Sequence, residues 1–398
     1  MSLIITDATL LLGAELDFVE RGYLEIKDGK IKSAQAGRYD GSGRSLNGKG
    51  FLIIPGFINA HTHIADSIGK DIASGDYLDT RVHPVLGAKK KILEKSSPDH
   101  LKAFIRNSAV SMMKKGIVAF SDFREGGPDG VRLLRDSLAG LPIKCTVLGR
   151  TNHYASPDGN SGLPPDAMRE AEEVTKLGDG LGISGANENT DSSLMQYRKI
   201  AAGKLLAIHA AESRETAEFS KAGTGRSEVD RIMQNMRPDF VVHMTNATNH
   251  EISMVAKSGT GVVVCPRANG VLGAGIPKVA KMLREGCTVA IGTDNIMLNS
   301  PDIMREMDYL WKISRASEGG DMIEARQVLK MATVNAARIL RMNSGWIEAG
   351  RAADLIFIDR RHRDLYPMHD PYAAMVHRLS EVSIKAVMID GRFVEAIN

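Results

Sequence analysis

The chain has 398 residues, 43% hydrophobic and 25% charged, with a formal net charge of +3. This is ordinary globular composition, and with the charges interspersed it excludes a disordered chain, a nucleic-acid stripe and a membrane-surface patch. The three cysteines, Cys145, Cys265 and Cys287, are far apart and form no Cys-x-x-Cys pair, which excludes a disulfide framework and a thiolate zinc site.

No apolar run reaches the roughly 18 residues that cross a bilayer. The N-terminus, Met1 to Asp7, has no basic stretch and no cleavable pattern. The expectation is a soluble cytoplasmic protein in a reducing compartment.

Residues 3–58 predict short strands. Leu3–Ile5, Leu10–Leu12, Tyr23–Lys27 and Lys30–Ala34 are turn-bounded, and Lys27-Asp-Gly-Lys30 is a hairpin signal. From Phe57 the texture changes, and apolar runs alternate with helical stretches. Counting Leu52–Ala60 as the first, the others are Gly116–Ser121, Ile143–Gly149, Leu181–Gly185, Leu205–Ala210, Phe240–His243, Gly261–Cys265 and Thr288–Gly292. Nearly continuous apolar runs suit strands covered on both faces of a parallel sheet. Helices are predicted at Pro98–Lys115, Pro165–Leu177, Asp191–Ala202, Asn249–Lys257 and Pro277–Arg284, mostly entered through proline and all stopped near glycine. Two more follow the eighth run, at about Asp302–Ser314 and Ile323–Leu340.

Eight strand-then-helix units close most naturally into a (β/α)8 TIM barrel, here over residues 56–344. An open doubly wound sheet is the alternative, but no G-x-G-x-x-G follows the first run. After residue 344 the texture returns to strands at Leu355–Ile358, Ile384–Ile389 and Arg392–Val394, with Asp390-Gly391 as a second hairpin signal. Residues 1–55 and 345–398 are therefore expected to pair into one small β-sandwich.

In such a barrel, chemistry sits at the C-terminal ends of the strands. The first run ends at His61 and His63, whose i, i+2 spacing aims two imidazoles the same way. The fifth ends at His209, the sixth at His243, and the eighth at Asp294. Imidazole and carboxylate donors without sulfur suit zinc, with iron as the alternative. Glu212 follows His209 closely enough to serve as a proton shuttle; its competing reading is a dipole-favoured carboxylate in the next helix. Asp122, ending the second run, reads as structural. His83, His100, His250, His362, His369 and His377 have no strand-end placement, and His153 lies just past the third run.

With these residues in hand, the sequence resembles the amidohydrolase superfamily in its mononuclear deaminase-like branch, which includes the adenosine, S-adenosylhomocysteine and cytosine deaminases and triazine-type hydrolases. Pro55-Gly-Phe-Ile-Asn-Ala-His-Thr-His63, His209-Ala-Ala-Glu212, His243, Cys265-Pro266 with Asn269, and Gly292-Thr-Asp294 carry the resemblance, and Ala332–Ala337 and Gly350–Leu355 extend it. It implies that His61, His63, His209 and Asp294 hold one divalent metal. It implies that His243 stands beside the activated water and that Glu212 and Asp294 move protons. The reaction implied is hydrolytic deamination of a small molecule, an amino-substituted N-heterocycle of purine, pyrimidine or pterin type. Homo-oligomers are common in the family.

The chain departs from the family at two places. Where dinuclear relatives carry a lysine after the fourth strand, this chain reads Leu181-Gly-Ile-Ser-Gly-Ala-Asn-Glu-Asn189, which implies one metal, Glu188 being the residue that could support a second. Where nucleoside deaminases carry a tryptophan-leucine pair and a ribose-gripping glutamate, this chain has Tyr77-Leu78 and no glutamate before Glu94. A nucleoside is therefore not implied. Arg124, Arg150 and Arg267 are candidates for a substrate carboxylate or phosphate, and His153 and Asn269 complete the candidate substrate contacts. The competing readings are a hydrolase acting on a cyclic amide or a chlorinated triazine-like ring, and a catalytically silent barrel. A silent barrel would be expected to have lost a ligand or the shuttle, and all six residues are present.

Overall fold

The computed structural model describes residues 2–43, 45–76, 78–83, 85, 87–317 and 323–394, with the side chain of Asp79 also outside the description. Tyr77 and Pro84 of the departing loop thus lie outside the described residues.

The N-terminal strands are β1 (Ser2–Leu12), β2 (Asp17–Lys27), β3 (Lys30–Ala36), β4 (Ser45–Asn47) and β5 (Phe51–Pro55). The two short strands expected in residues 3–12 are one strand. Its register shifts between Ile5 and Ala8, where Asp7 takes φ 58°, so a bulge interrupts the apolar pattern that had suggested two elements. The β2–β3 hairpin turns at Asp28 and Gly29, both at positive φ, as a tight two-residue turn requires.

The run Leu52–Ala60 is not a single strand. It divides at Gly56 into β5 and β6 (Phe57–His63), and the two belong to different sheets. Gly56 donates to the Asp354 carbonyl at 2.9 Å, and a Cβ there would stand 2.4 Å from Val118. Hydrophobicity alone does not mark this change of sheet, because both halves are buried.

The parallel strands follow: β7 (Ile117–Arg124), β8 (Lys144–Gly149), β9 (Gly180–Ile183), β10 (Leu205–Ala210), β11 (Phe240–His243), β12 (Gly261–Val264), β13 (Val289–Ile291) and β14 (Asp294–Asn295). The sheet order is β13-β12-β11-β10-β9-β8-β7-β6-β14, so from β6 to β13 each strand pairs with its sequence neighbour. Only Gly292 and Thr293 separate β13 from β14, and β14 pairs with β6, which brings the two ends of the strand path together. The result is a curled parallel sheet with helices packed against it.

The helices include α1 (Leu78–Val82), α2 (Ala88–Lys95), α3 (Pro98–Lys114) and α4 (Gly127–Leu138). Ser97 caps α3 through its hydroxyl, which accepts from His100 N, and Pro98 occupies the first turn. The stretch Ile323–Leu340 is two helices, Ala325–Met331 and Val334–Ile339. They break at Ala332, whose carbonyl accepts from Ile58 N of β6 at 2.8 Å. The helix expected after Glu212 spans Arg214–Thr224, and a further helix follows at Glu228–Asn235.

At the C-terminus come β15 (Leu355–Asp359), β16 (Ile384–Ile389) and β17 (Arg392–Phe393). They join the N-terminal strands in one eight-stranded sheet, ordered β17-β16-β15-β5-β1-β2-β3 with β4 on β1. Strands from both termini thus share one sheet, linked by continuous pairing. That sheet has its own buried cluster, including Leu10, Leu24, Ile53, Leu355 and Phe357. Among the described residues no helix is long and apolar enough to cross a membrane.

Candidate metal and catalytic site

The site forms where β6 meets β14. Asn59 and Thr293 tie the two together: Asn59 Nδ2 donates to Thr293 Oγ1 at 2.7 Å, and Thr293 N donates to Asn59 Oδ1 at 3.0 Å. Gly292 makes the approach possible, since a Cβ there would lie 2.7 Å from His61 Cβ and 2.8 Å from His61 N. His61 N, and His61 O at 2.9 Å, are backbone atoms and cannot yield cheaply. We expect Gly292→Ala to destabilise the fold by about 1–3 kcal/mol and to lower metal affinity with it. Urea midpoints and bound metal measured on the same variant check this; a native midpoint with native metal content refutes it.

His61, His63, His209 and Asp294 come together as one donor group. His209 Nε2 lies 3.3 Å from His61 Nε2 and 3.4 Å from His63 Nε2. Asp294 Oδ1 lies 3.2 Å from His61 Nε2 and 3.6 Å from His63 Nε2. The remaining ring nitrogens fix the tautomers. His63 Nδ1 donates to the Phe123 carbonyl and His209 Nδ1 to the Ile183 carbonyl, each at 3.1 Å. Both Nε2 atoms therefore carry lone pairs, and these lone pairs face one another.

Such an arrangement is repulsive unless a cation sits among them. The spacing fits one: a tetrahedral centre with metal–nitrogen bonds of about 2.0–2.1 Å has edges of about 3.3–3.4 Å. Protonation states agree. Burial pushes His61 down to about 3 and His209 well below the usual imidazole range. Burial would raise Asp294, but its bond to His61 and the surrounding imidazoles outweigh it and hold it far below the usual carboxylate range. His61, His209 and Asp294 are thus held in the unprotonated state that metal binding needs.

The backbone is bent where it presents these groups. Ala211, His243, Met244 and Asp294 all take positive φ, of 48°, 76°, 52° and 59°. Non-glycine residues in that region cluster at functional sites, where the surroundings must hold them. At Ala211 the holder is Glu228, whose Oε2 accepts from Ala211 N at 2.8 Å. Just beyond this turn, Glu212 precedes the Ser213 cap, outside the helix Arg214–Thr224. Its carbonyl accepts from Asn246 Nδ2 at 2.9 Å, which leaves the carboxylate to face the donors. Glu212, His243 and Asp294 form a second close group. Burial raises the Glu212 carboxyl above the usual range, against the lowering pull of His243.

His243 Nε2 lies 3.7 Å from Glu212 Oε1. Its Nδ1 donates to Asn269 Oδ1 at 3.0 Å, and Asn269 Nδ2 donates to Thr245 Oγ1. Both polar ends of Asn269 are therefore committed. The structure places it behind His243 as a support, not against a substrate as the sequence reading had it.

The other expected contacts separate. Arg150 and Glu188 line the cavity beside the donors, with Leu78, Lys89 and Asn295. Arg267 does not: its Nη1 reaches Glu306 Oε1 at 3.4 Å and the Ser300 carbonyl at 3.3 Å, in a different cavity. His153 is half-buried and does not line the donor cavity. Asp122 Oδ2 accepts from Thr62 Oγ1 at 2.9 Å and from Ile64 N at 2.6 Å, so it braces the end of β6.

Two residues at the site escaped the sequence reading. Glu228 lies 16 positions past Glu212, with no pattern linking it to the turn it holds. Glu125 follows β7, which runs to Arg124 instead of stopping at Ser121. Its Oε1 lies 2.9 Å from His63 Nδ1 and 2.6 Å from Lys89 Nζ. The Nδ1–H of His63 goes to the Phe123 carbonyl, so Glu125 acts on the ring as a neighbouring buried charge. Only the polar end of an otherwise apolar run, Arg124-Glu125, could have suggested it.

Comparison with known proteins gives a consistent set. The Amidohydrolase family model matches residues 52–394. A Methanothermobacter thermautotrophicus protein named "Putative aminohydrolase" is 37% identical over 99% of both chains. A 5-methylthioadenosine/S-adenosylhomocysteine deaminase of Symbiobacterium thermophilum is 27% identical, over 98% of this chain and 93% of its own. Among solved structures, the zinc complex of atrazine chlorohydrolase TrzN from Arthrobacter aurescens superposes with a TM-score of 0.85 at 19% identity, covering 98% of this chain and 94% of that one.

Proposed function

The chain belongs to the amidohydrolase family, and on that premise we propose that this hydrolytic enzyme is a zinc-dependent aminohydrolase that deaminates an amino-substituted N-heterocycle of purine, pyrimidine or pterin type. The observation that carries this reading is the convergence of the Nε2 atoms of His61, His63 and His209 with Asp294 Oδ1, and with Glu212 and His243 alongside. The deaminase names among its relatives support the same reaction class.

Roles follow from the chemistry of each group. His61, His63, His209 and Asp294 would hold the metal; zinc suits three imidazoles and a carboxylate at tetrahedral spacing, and iron is the alternative. A divalent ion bound there supplies Lewis acidity and brings the pKa of water to near 7. Glu212, its carboxyl held high by burial, takes a proton from the attacking water and delivers it to the departing nitrogen. His243, its ring fixed by Asn269, presents Nε2 to the carbon under attack, and Asp294 takes the second proton, which ends on the ring nitrogen of the product. Water adds to the ring carbon, the carbon–nitrogen bond breaks, and ammonia leaves. Glu188 stands outside both donor groups, and no lysine follows β9, so one metal is proposed. The architecture proposed is a (β/α)8 barrel over residues 56–344, its strand path closed by β14 on β6, with residues 1–55 and 345–398 as a small β-domain.

The test is ammonia release by zinc-loaded protein across aminopurines, aminopyrimidines and pterins, with chlorotriazines and cyclic amides in parallel. Ammonia from at least one amino ring is expected. Chloride release or ring opening without any ammonia would replace deamination by the alternative hydrolysis, which the fold shared with the chlorohydrolase keeps in view.

A further inference from the structure

Two cavities meet behind His63. The smaller, about 80 Å³, lies beside the metal donors. The larger, about 670 Å³, opens between α2, α3, α4 and the end of β7. Val82, His83, Lys89 and Arg150 line both, so the two are adjacent and share a wall.

Charges on the larger cavity's wall divide into two sets. The outer cations are matched: Lys102 lies 3.5 Å from Asp136, Arg132 lies 2.9 Å from Asp129 and 2.5 Å from Glu173, and Lys90 faces Glu94 at 3.8 Å. The inner cations are Lys89, Arg124 and Arg150, exposed by only 6%, 3% and 7%. Among the described residues, the one carboxylate within ion-pair distance of all three is Glu125, at 2.6 Å from Lys89, 3.6 Å from Arg150 and 3.7 Å from Arg124. Glu125 is shared further with His63. Within ion-pair distance the three buried cations thus share one carboxylate; the buried Asp122, Asp66 and Glu188 act on them only from farther away. Arg124 Nε and Nη1 are fully buried with no hydrogen-bond partner among the described residues. A buried guanidinium whose N–H groups go unbonded is costly, and its planar donor edge matches the two oxygens of a carboxylate or phosphate.

We propose that Lys89, Arg124 and Arg150 form an oxyanion subsite, and that the natural substrate is a ring bearing a carboxylate or phosphate arm that reaches from the small cavity into the large one. The identity of the ring rests on the deaminase reading; the anion subsite rests on three cations sharing Glu125 and on the unbonded Nε and Nη1 of Arg124.

The experiment is calorimetric titration of the zinc-loaded protein with inorganic phosphate and, separately, with acetate, at constant ionic strength. Saturable binding is expected, and the tighter probe identifies the arm. Arg124→Met, which keeps the apolar stem, should weaken that binding at least tenfold, in line with the loss of one charge-assisted contact. Arg150→Met should do the same, and Arg132→Gln, on the outer wall, should leave affinity unchanged. Absence of saturable binding to wild type overturns the proposal. So does undiminished binding to Arg124→Met and Arg150→Met, because phosphate would then be sitting on the metal. Oxyanion binding without ammonia release from any ring removes the deaminase reading and leaves the subsite standing; ammonia release from neutral rings without oxyanion binding does the reverse.

Discussion

Glu212→Gln is expected to keep one equivalent of metal and to lose about 10²- to 10⁴-fold in turnover. The four-donor group does not include Glu212, so metal content should not change. The amide has nearly the same shape and can still occupy the space facing His243 Nε2. What it cannot do is accept a proton and hand it on. Elemental analysis and single-turnover ammonia release, made on the same preparation, separate the two properties. Native turnover in the metal-loaded variant would remove the proton-transfer role from Glu212. Parallel loss of metal would instead make it a ligand.

The second large effect is expected from His61→Ala. His61 is fully buried, packed edge-on against Phe123 at 4.5 Å between centroids and closed over by Gly292. Its loss removes a metal donor, and an alanine leaves a cavity beside Phe123. Altering partners behind a ligand already costs about 10–100-fold in metal affinity, so losing the ligand should cost more than about 10²-fold. Metal content after dialysis should fall far below one equivalent, and turnover with it. Chelation of the wild type should abolish turnover, and added zinc should restore it there but not in the variant. A variant that retains a full equivalent of tightly held metal would show that the four residues are not the ligand set.

The fold was legible where the physics is local. Glycine and proline punctuation located Pro98–Lys114 and Pro165–Leu177 closely, and Asp28-Gly29 and Asp390-Gly391 marked real hairpins. Reading failed where a tertiary contact overrode the local pattern. The run through Gly56 looks like one strand because both halves are apolar, yet they pair with different sheets. Ile323–Leu340 has continuous helical periodicity but breaks so that Ala332 can serve β6.

At the site, the sequence by itself determined the donors. Histidine and aspartate at the ends of buried runs, spaced i, i+2 in β6, already specify imidazole and carboxylate ligands on one edge of a parallel sheet. Only the tertiary structure decided that residues 148 and 146 positions apart bring their Nε2 atoms to 3.3 and 3.4 Å. It also decided that Asn269 serves His243, that Arg267 belongs elsewhere, and that Lys89, Arg124 and Arg150 share one carboxylate. The reason is physical. Strand ends and side-chain alternation follow from bonds between near neighbours, whereas convergence and charge balance depend on which distant segments pack together and in what register.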